Sequence, residues 1–422
     1  MAFSFIHTGD LHLDSPLTGL SAHDDERAGQ IGKASRRAFA ELVDLAIARK
    51  VDVFLIAGDL WDGDWRDISA GLFVQAEAGR LRAAGIGVFA ILGNHDAASH
   101  VTDRIRNLDT LHLFASGGPT SVEWGEAVIH GVSYETREVS ENVAISYPDA
   151  WPGRINIGLL HTSLDQKGGE HATYAPCAPV QLAAKGYHYW ALGHVHTRQR
   201  ILEAPASQGG TIAFCGVLQG RHVRETGPKG AWLGTVEGER VTLTEITFGH
   251  VSWHLAEADL SGDVEPRRAM EMALEKVAGE ATSDIAAVRI NLVGETARHY
   301  ALRSRERALA EEARFVAGGL GKRLLLERLV VATRPPVAAA PALPSGFGRY
   351  LARAAGDPEL AGRAAEELRL MLAALPAGVR DNLSARLEGL AGFEADGDAG
   401  AFLGEAAERV AARLDAPEGE GA

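Results

Sequence analysis

The chain has 422 residues, 46% of them hydrophobic and 23% charged, with a formal net charge of −14. This is ordinary globular composition, long enough for two or three domains, and its acidity argues against a broad basic surface for nucleic acid while leaving room for a local basic groove. The two cysteines, Cys177 and Cys215, do not make a disulfide framework. The N-terminal "MAFSFIHTGDLHLDSP" has no basic segment leading an apolar core, and no run of ~18 apolar residues follows, so neither a secretory signal nor a membrane span is expected. The expected location is cytoplasmic, with free buried thiols.

In chain order, residues 3–7 read as a buried strand, 29–50 as a helix, 51–58 as a strand, 68–84 as a helix and 86–93 as a strand. That alternation predicts a mostly parallel sheet with crossover helices. Strands follow at 127–134, 155–161, 187–194, 211–216, 230–236 and 240–248. No long helices separate them, which predicts a second, more antiparallel sheet. The pattern changes near residue 255. Residues 265–279 read as helix, 285–294 as strand, 299–317 as helix and 323–333 as mixed, a small α/β unit. "RPPVAAAPALPSG" (334–346) reads as an extended linker, and 347–415 as Ala/Leu-rich helix. The expected domains are therefore 1–255, 256–333 and 347–422, with 334–346 between the last two.

The chemistry lies at the ends of the apolar strands. "GDLH" brings Asp10 and His12, "GDLWDGDW" brings Asp59 and Asp62, and "GNHD" brings Asn94, His95 and Asp96. Later strands end in "LLHTS" with His161 and "ALGHVH" with His194 and His196. A lone Asp after a strand is ordinarily a turn or cap residue. Five such clusters, each at a strand end, point instead to a shared site, because loops at the carboxyl ends of parallel strands converge. Mixed imidazole and carboxylate donors suit manganese, iron or zinc. The set is too large for one ion, and two ions ~4 Å apart can clamp the attacking and leaving oxygens of a phosphoryl transfer.

The ordered set DxH, GDxxD, GNHD, a single His and GHxH resembles the calcineurin-like metallophosphoesterases. "DLHLDSP", "GDLWDGDWRD", "GYHYWALGHVH" and "QGRHVRETGPKG" are similar to their DNA-repair exonuclease branch, of SbcD type and YhaO-like. The resemblance implies a four-layer α-β-β-α sandwich core, an α/β capping domain and a C-terminal helical region. It implies that Asp10, His12 and His196 hold one divalent ion, that Asn94, His161 and His194 hold a second, and that Asp59 bridges them. Manganese is the expected metal. His95 is then a catalytic residue rather than a ligand, and Asp62 orients it. At the position of Asp62 the SbcD-type nucleases have a histidine, a departure that leaves a phosphatase or small-molecule phosphodiesterase as the alternative function. The partners implied are DNA and an SbcC-like coiled-coil ATPase, docked through the helical 347–422 region, and a homodimer is compatible with the likeness. An adaptor with a vestigial site is the weakest reading, since every expected ligand is present.

Four arginines are candidates for substrate contact. Arg221 and Arg224 are the first choice for phosphate, because a guanidinium can hold two phosphate oxygens at once. Arg198 and Arg200 come next. Trp61, Trp65 and Trp190 read as packing, Asp67 as a helix cap and Asp64 as structural. "GGLGKR" (318–323) lacks the early glycine and the Ser/Thr of a phosphate loop.

Overall fold

The computed structural model describes residues 2–15, 31–61, 69–98, 110–165, 174–321 and 323–336, together with 353, 357–375 and a few positions between 390 and 406. Two compact units divide the chain, one running to Ser252 and the other from Trp253.

The first unit holds two six-stranded sheets. Strand β1 (Phe3–Thr8), helix α1 (Ala34–Arg49), β2 (Val53–Ala57), α2 (Ser69–Ala83) and β3 (Gly87–Ile91) alternate as the sequence predicts. The three strands run parallel. Strands β4 (His112–Leu113), β5 (Thr120–Trp124), β6 (Ala127–Gly131) and β7 (Ile155–His161) follow, then α3 (Pro179–Ala183), β8 (Tyr189–Gly193), β9 (Gln199–Glu203) and β10 (Thr211–Phe214). A hairpin of β11 (Gly230–Glu237) and β12 (Arg240–Thr247) closes the series. The sheet orders are β12-β11-β1-β2-β3-β4 and β5-β6-β7-β8-β10-β9.

Alternation along the strands explains the layering. On β1 and β2, Ile6, Phe54 and Ile56 join Phe39, Leu42 and Val74 of the helices. Their neighbours Phe5, Val53 and Leu55 face the other way and join Ile129, Ile157, Leu159 and Ala191 of the second sheet. The far side of that sheet carries Leu160, Trp190, Leu192 and Phe214, packed with Tyr147, Leu182 and Tyr187. This is the four-layer α-β-β-α arrangement. Strands covered on both faces have no polar side to show, which is why "VFLIA" and "GVFAI" are buried throughout.

Two expectations are corrected. The second sheet is mostly parallel: β6, β7, β8 and β10 run together, and only the edge strands β5 and β9 are reversed. Among the described residues its crossovers hold loops, a 3₁₀ turn at Val143–Ser146 and the five-residue α3, which leave no long helical pattern in the sequence. The β11–β12 hairpin belongs to the first sheet, where β11 pairs antiparallel with β1.

In the second unit, β13 (Val251–Asp259), α4 (Pro266–Glu280), β14 (Ile285–Val293), α5 (His299–Ser304), α6 (Glu306–Leu320) and β15 (Leu324–Val331) form a three-stranded sheet with its helices. The helix expected over 299–317 is broken at Arg305, which has φ −109° and ψ 15°. The stretch expected to be mixed is a strand, β15, parallel to β14. Helix α7 (Pro358–Ala374) starts at Asp357, whose side chain accepts from the N–H groups of Glu359 and Leu360. Residues 337–346 of the expected linker lie outside the described residues. Among the described residues, no helix is long and apolar enough to cross a membrane.

Candidate metal centre

The strand-end clusters meet at one place in the first unit, and the backbone brings them there. Beyond β1 and β2 the two loops keep pairing: Asp10 N–H donates to the carbonyl of Gly58 at 2.9 Å, and the N–H groups of Leu11 and His12 donate to the carbonyl of Asp59 at 2.7 and 3.1 Å. Asp10 and His12 are thereby laid alongside Asp59. The N–H of His194 donates to both oxygens of Asp10, at 2.9 and 3.1 Å. The N–H of His95 donates to Asp59 Oδ1 at 3.0 Å. Candidate ligands therefore also tie the loops to one another.

Asp10, His12, Asp59 and His194 all have positive φ, at 46°, 41°, 52° and 97°. Left-handed backbone at a residue other than glycine costs of order 1–3 kcal/mol and persists only where the surroundings impose it. Four such residues at one spot mark a site whose geometry is worth that strain.

His161 is the hub. It ends β7, and its Nδ1 donates to the carbonyl of Ala57 at 2.9 Å. Its Nε2 then lies 2.9 Å from Asn94 Oδ1 and 3.3 Å from Asp59 Oδ2. The ring fits only because three glycines make room. A Cβ at Gly58 would sit 2.6 Å from its Nδ1, one at Gly93 2.8 Å from its Nε2, and one at Gly193 2.9 Å from its Nδ1. The glycines of "GD", "GN" and "GH" accommodate the same imidazole. Tyr134 donates to the carbonyl of His161 at 3.0 Å, and Tyr174 stacks on His194 with ring centroids 5.5 Å apart.

The remaining candidate ligands complete two groups. Asn94 Oδ1 lies 3.2 Å from His194 Nδ1. On the other side, His12 Nε2 lies 3.2 Å from His196 Nε2 and 3.8 Å from Asp59 Oδ2. Donor atoms of Asp10, His12 and His196 fall within 4.8 Å of one another, as do those of Asp10, Asp59 and His161, and those of His12, Asp59 and His95. Asp59 stands between the groups. Burial opposes its ionisation, but the imidazoles of His161, His12 and His95 outweigh burial and hold its carboxyl well below the usual carboxylate range. Burial pushes Asp10 up to about 7. Two enclosed carboxylates, four imidazoles and an amide oxygen aimed at one volume fit divalent cations, and the mixture of donors suits manganese, iron or zinc.

His95 is partly exposed, edge-on to His12 with ring centroids 4.9 Å apart. Its place beside His12 and Asp59 allows a ligand as well as a catalytic role. Asp62, Asp64, Trp65 and Asp67 lie outside the described residues. Arg221 reaches the site: Nη1 donates to Ser15 Oγ at 3.3 Å, and Nη2 lies 3.4 Å from His196 Nδ1. Arg224 is exposed. Arg198 donates to the carbonyls of Ala231 and Ile246 and lies over Trp232, as does Arg200. Both serve the β11–β12 hairpin. Trp61 and Trp190 are fully buried.

Two carboxylates have no role in the sequence reading. Asp96 is buried, and it accepts from Leu60 N–H at 2.9 Å, Trp61 N–H at 3.2 Å and Gly93 N–H at 2.9 Å. It pins the loop after β2 to the loop after β3. Glu225 is buried behind His196, 2.7 Å from its Nδ1. The final Asp of "GNHD" signalled the first. For Glu225 only its place four residues after Arg221 could have served.

Comparison with known proteins agrees with this geometry. The profile of the calcineurin-like phosphoesterases matches residues 3–198, and that of the middle domain of the metallophosphoesterase YhaO matches 253–334. The metallophosphoesterase YhaO of Bacillus subtilis is 34% identical over 264 residues, 61% of this chain and 63% of that protein. A DNA double-strand break repair protein Mre11 from Sulfurisphaera tokodaii is 29% identical over 226 residues, 50% of this chain and 56% of that protein. The chain thus spans less than two thirds of either relative. A dimetal phosphatase from Danio rerio superposes with a TM-score of 0.37 at 12% identity, over 57% of this chain and 95% of that one, a likeness too low to carry an argument.

Proposed function

This chain carries a calcineurin-like metallophosphoesterase domain, and on that premise we propose that it is a two-metal phosphodiester hydrolase acting on DNA. The observation that supports this reading most is Asp59. One buried carboxylate stands between a group containing Asp10, His12 and His196 and a group containing His161, Asn94 and His194.

In this reading Asp10, His12 and His196 hold one ion, Asn94, His161 and His194 the other, and Asp59 both. Manganese is the metal we propose. When bound, the ions supply Lewis-acid charge and lower the pKa of water. The chain's own groups do the rest. Asp59 and the turns pinned by Asp96 fix the spacing of the two groups. His95, partly exposed beside His12, is placed to give a proton to the leaving oxygen. Arg221, held at the edge of the first group, offers its guanidinium to a phosphate oxygen. We assign Asp62 to orienting His95 and Arg224 to a longer-range contact with the DNA backbone.

DNA is proposed as substrate on the likeness to an Mre11 double-strand break repair protein. The sequence resemblance to SbcD-type exonucleases adds an SbcC-like ATPase as partner, engaged through the region 347–422. In the same reading residues 1–255 are the phosphoesterase domain and 256–333 an α/β capping domain. The net charge of −14 favours a second reading, a phosphatase or small-molecule phosphodiesterase. Assay of the full chain with manganese on single-stranded DNA and on a generic phosphate monoester separates the two: cleavage of the DNA supports the first, and hydrolysis of the monoester alone the second.

A further inference from the structure

Glu225 lies outside the ligand motifs, yet its carboxylate bonds two residues of the site, His196 and Arg221. Oε1 accepts from His196 Nδ1 at 2.7 Å and from Arg221 Nη2 at 3.1 Å. Oε2 accepts from the backbone N–H of Arg221 at 2.7 Å. His222 Nε2 approaches Oε1 at 3.6 Å. Glu225 is 5% exposed. Its own N–H donates to the carbonyl of His222 at 2.9 Å, closing the turn that aims it inward.

We propose that Glu225 is a positioning residue, setting the tautomer of His196 and anchoring Arg221 beside it; this rests on the two-metal reading above. A carboxylate accepts and never donates. His196 must therefore carry its proton on Nδ1, which leaves the lone pair of Nε2 directed at His12 Nε2, 3.2 Å away, and at the first metal group. The same carboxylate holds the backbone and guanidinium of Arg221. A metal ligand and a substrate arginine are thus set by one buried charge. Glutamine cannot replace it. With its single oxygen toward His196, its NH₂ meets the N–H of Arg221. Reversed, its NH₂ meets Nδ1 and drives the proton of His196 to Nε2, where it blocks the ligand atom.

Removing such a partner of a metal-bound histidine typically costs 10–100-fold in metal affinity. Titration of the full chain with Mn²⁺ in a calorimeter therefore separates the cases. Wild type is expected to bind two ions. Glu225→Gln is expected to bind one with unchanged affinity and the other roughly 10–100-fold more weakly, with Glu225→Asp recovering part of the loss. Two unchanged sites in Glu225→Gln overturn the role of Glu225 and leave the two-metal reading standing. A wild type that binds no Mn²⁺ overturns both. Should the variants fail to fold, ¹⁵N spectra of the wild-type histidine rings decide without them: His196 protonated on Nδ1 supports the assignment, and protonation on Nε2 overturns it.

Discussion

Asp59 and His161 come from different sheets and meet with Oδ2 and Nε2 3.3 Å apart. The contact depends on Gly93, where a Cβ would lie 2.3 Å from Asp59 Oδ1 and 2.7 Å from His161 Cε1. Gly93→Ala is therefore expected to push both side chains out of place. Overpacking of this kind costs about 1–3 kcal/mol. The variant should melt earlier and bind manganese more weakly, measured by thermal unfolding with and without the ion. A variant that gains as much stability from manganese as wild type would show that the glycine is not what lets the two residues meet.

The carboxyl of Asp96 accepts from three N–H groups of two loops. Asp96→Asn keeps the shape but turns an acceptor into a donor against at least one of them. Leaving a buried N–H without its acceptor costs about 1–3 kcal/mol. We expect a loss of that order in urea unfolding. Unchanged stability would mean that the loops hold their spacing without it.

His95 distinguishes catalysis from metal binding. His95→Ala is expected to retain both ions while losing roughly 10²–10⁴-fold in kcat, the usual weight of a positioned proton donor. Metal analysis of the purified variant checks this. Loss of one ion would make His95 a ligand, as its place beside His12 and Asp59 permits.

His7 supplies a prediction away from the site. It is fully buried, its Nδ1 is 2.7 Å from the Tyr189 hydroxyl, and burial lowers its pKa to about 3. An unfolded histidine titrates near 6.5. As pH falls through that value the unfolded chain takes up a proton that the folded chain refuses, so the stability His7 contributes is complete above 6.5 and is lost progressively toward 3. The urea midpoint should fall from pH 7 to pH 4, with the His7 ring still neutral by NMR at pH 5. A charged His7 ring in the folded protein at pH 5 would contradict this.

That the strand-end motifs would meet was legible because their polar residues follow apolar strands, and the fold gathers strand ends. Asp10, Asn94 and His194 could each be singled out from their local glycine and apolar run. What was hidden depends on three-dimensional neighbours. Glu225 matters only because β8 brings His196 against its turn, and the three glycines matter only because His161 arrives from the other sheet. The first parallel sheet was legible through its long amphipathic helices. The second was not, because loops and α3 make its crossovers, and the hairpin after Gly230 gives no sign in its own sequence that it pairs with β1.

The proposed activity is cleavage of phosphodiester bonds in DNA with two metal ions. Incubation of the full chain with a single-stranded oligonucleotide tests it most directly, with manganese, with a chelator, and with Asp59→Asn in parallel. Cleavage is expected to require manganese and to disappear in the chelator and in Asp59→Asn. An oligonucleotide left intact under conditions where the same preparation hydrolyses a phosphate monoester would contradict it.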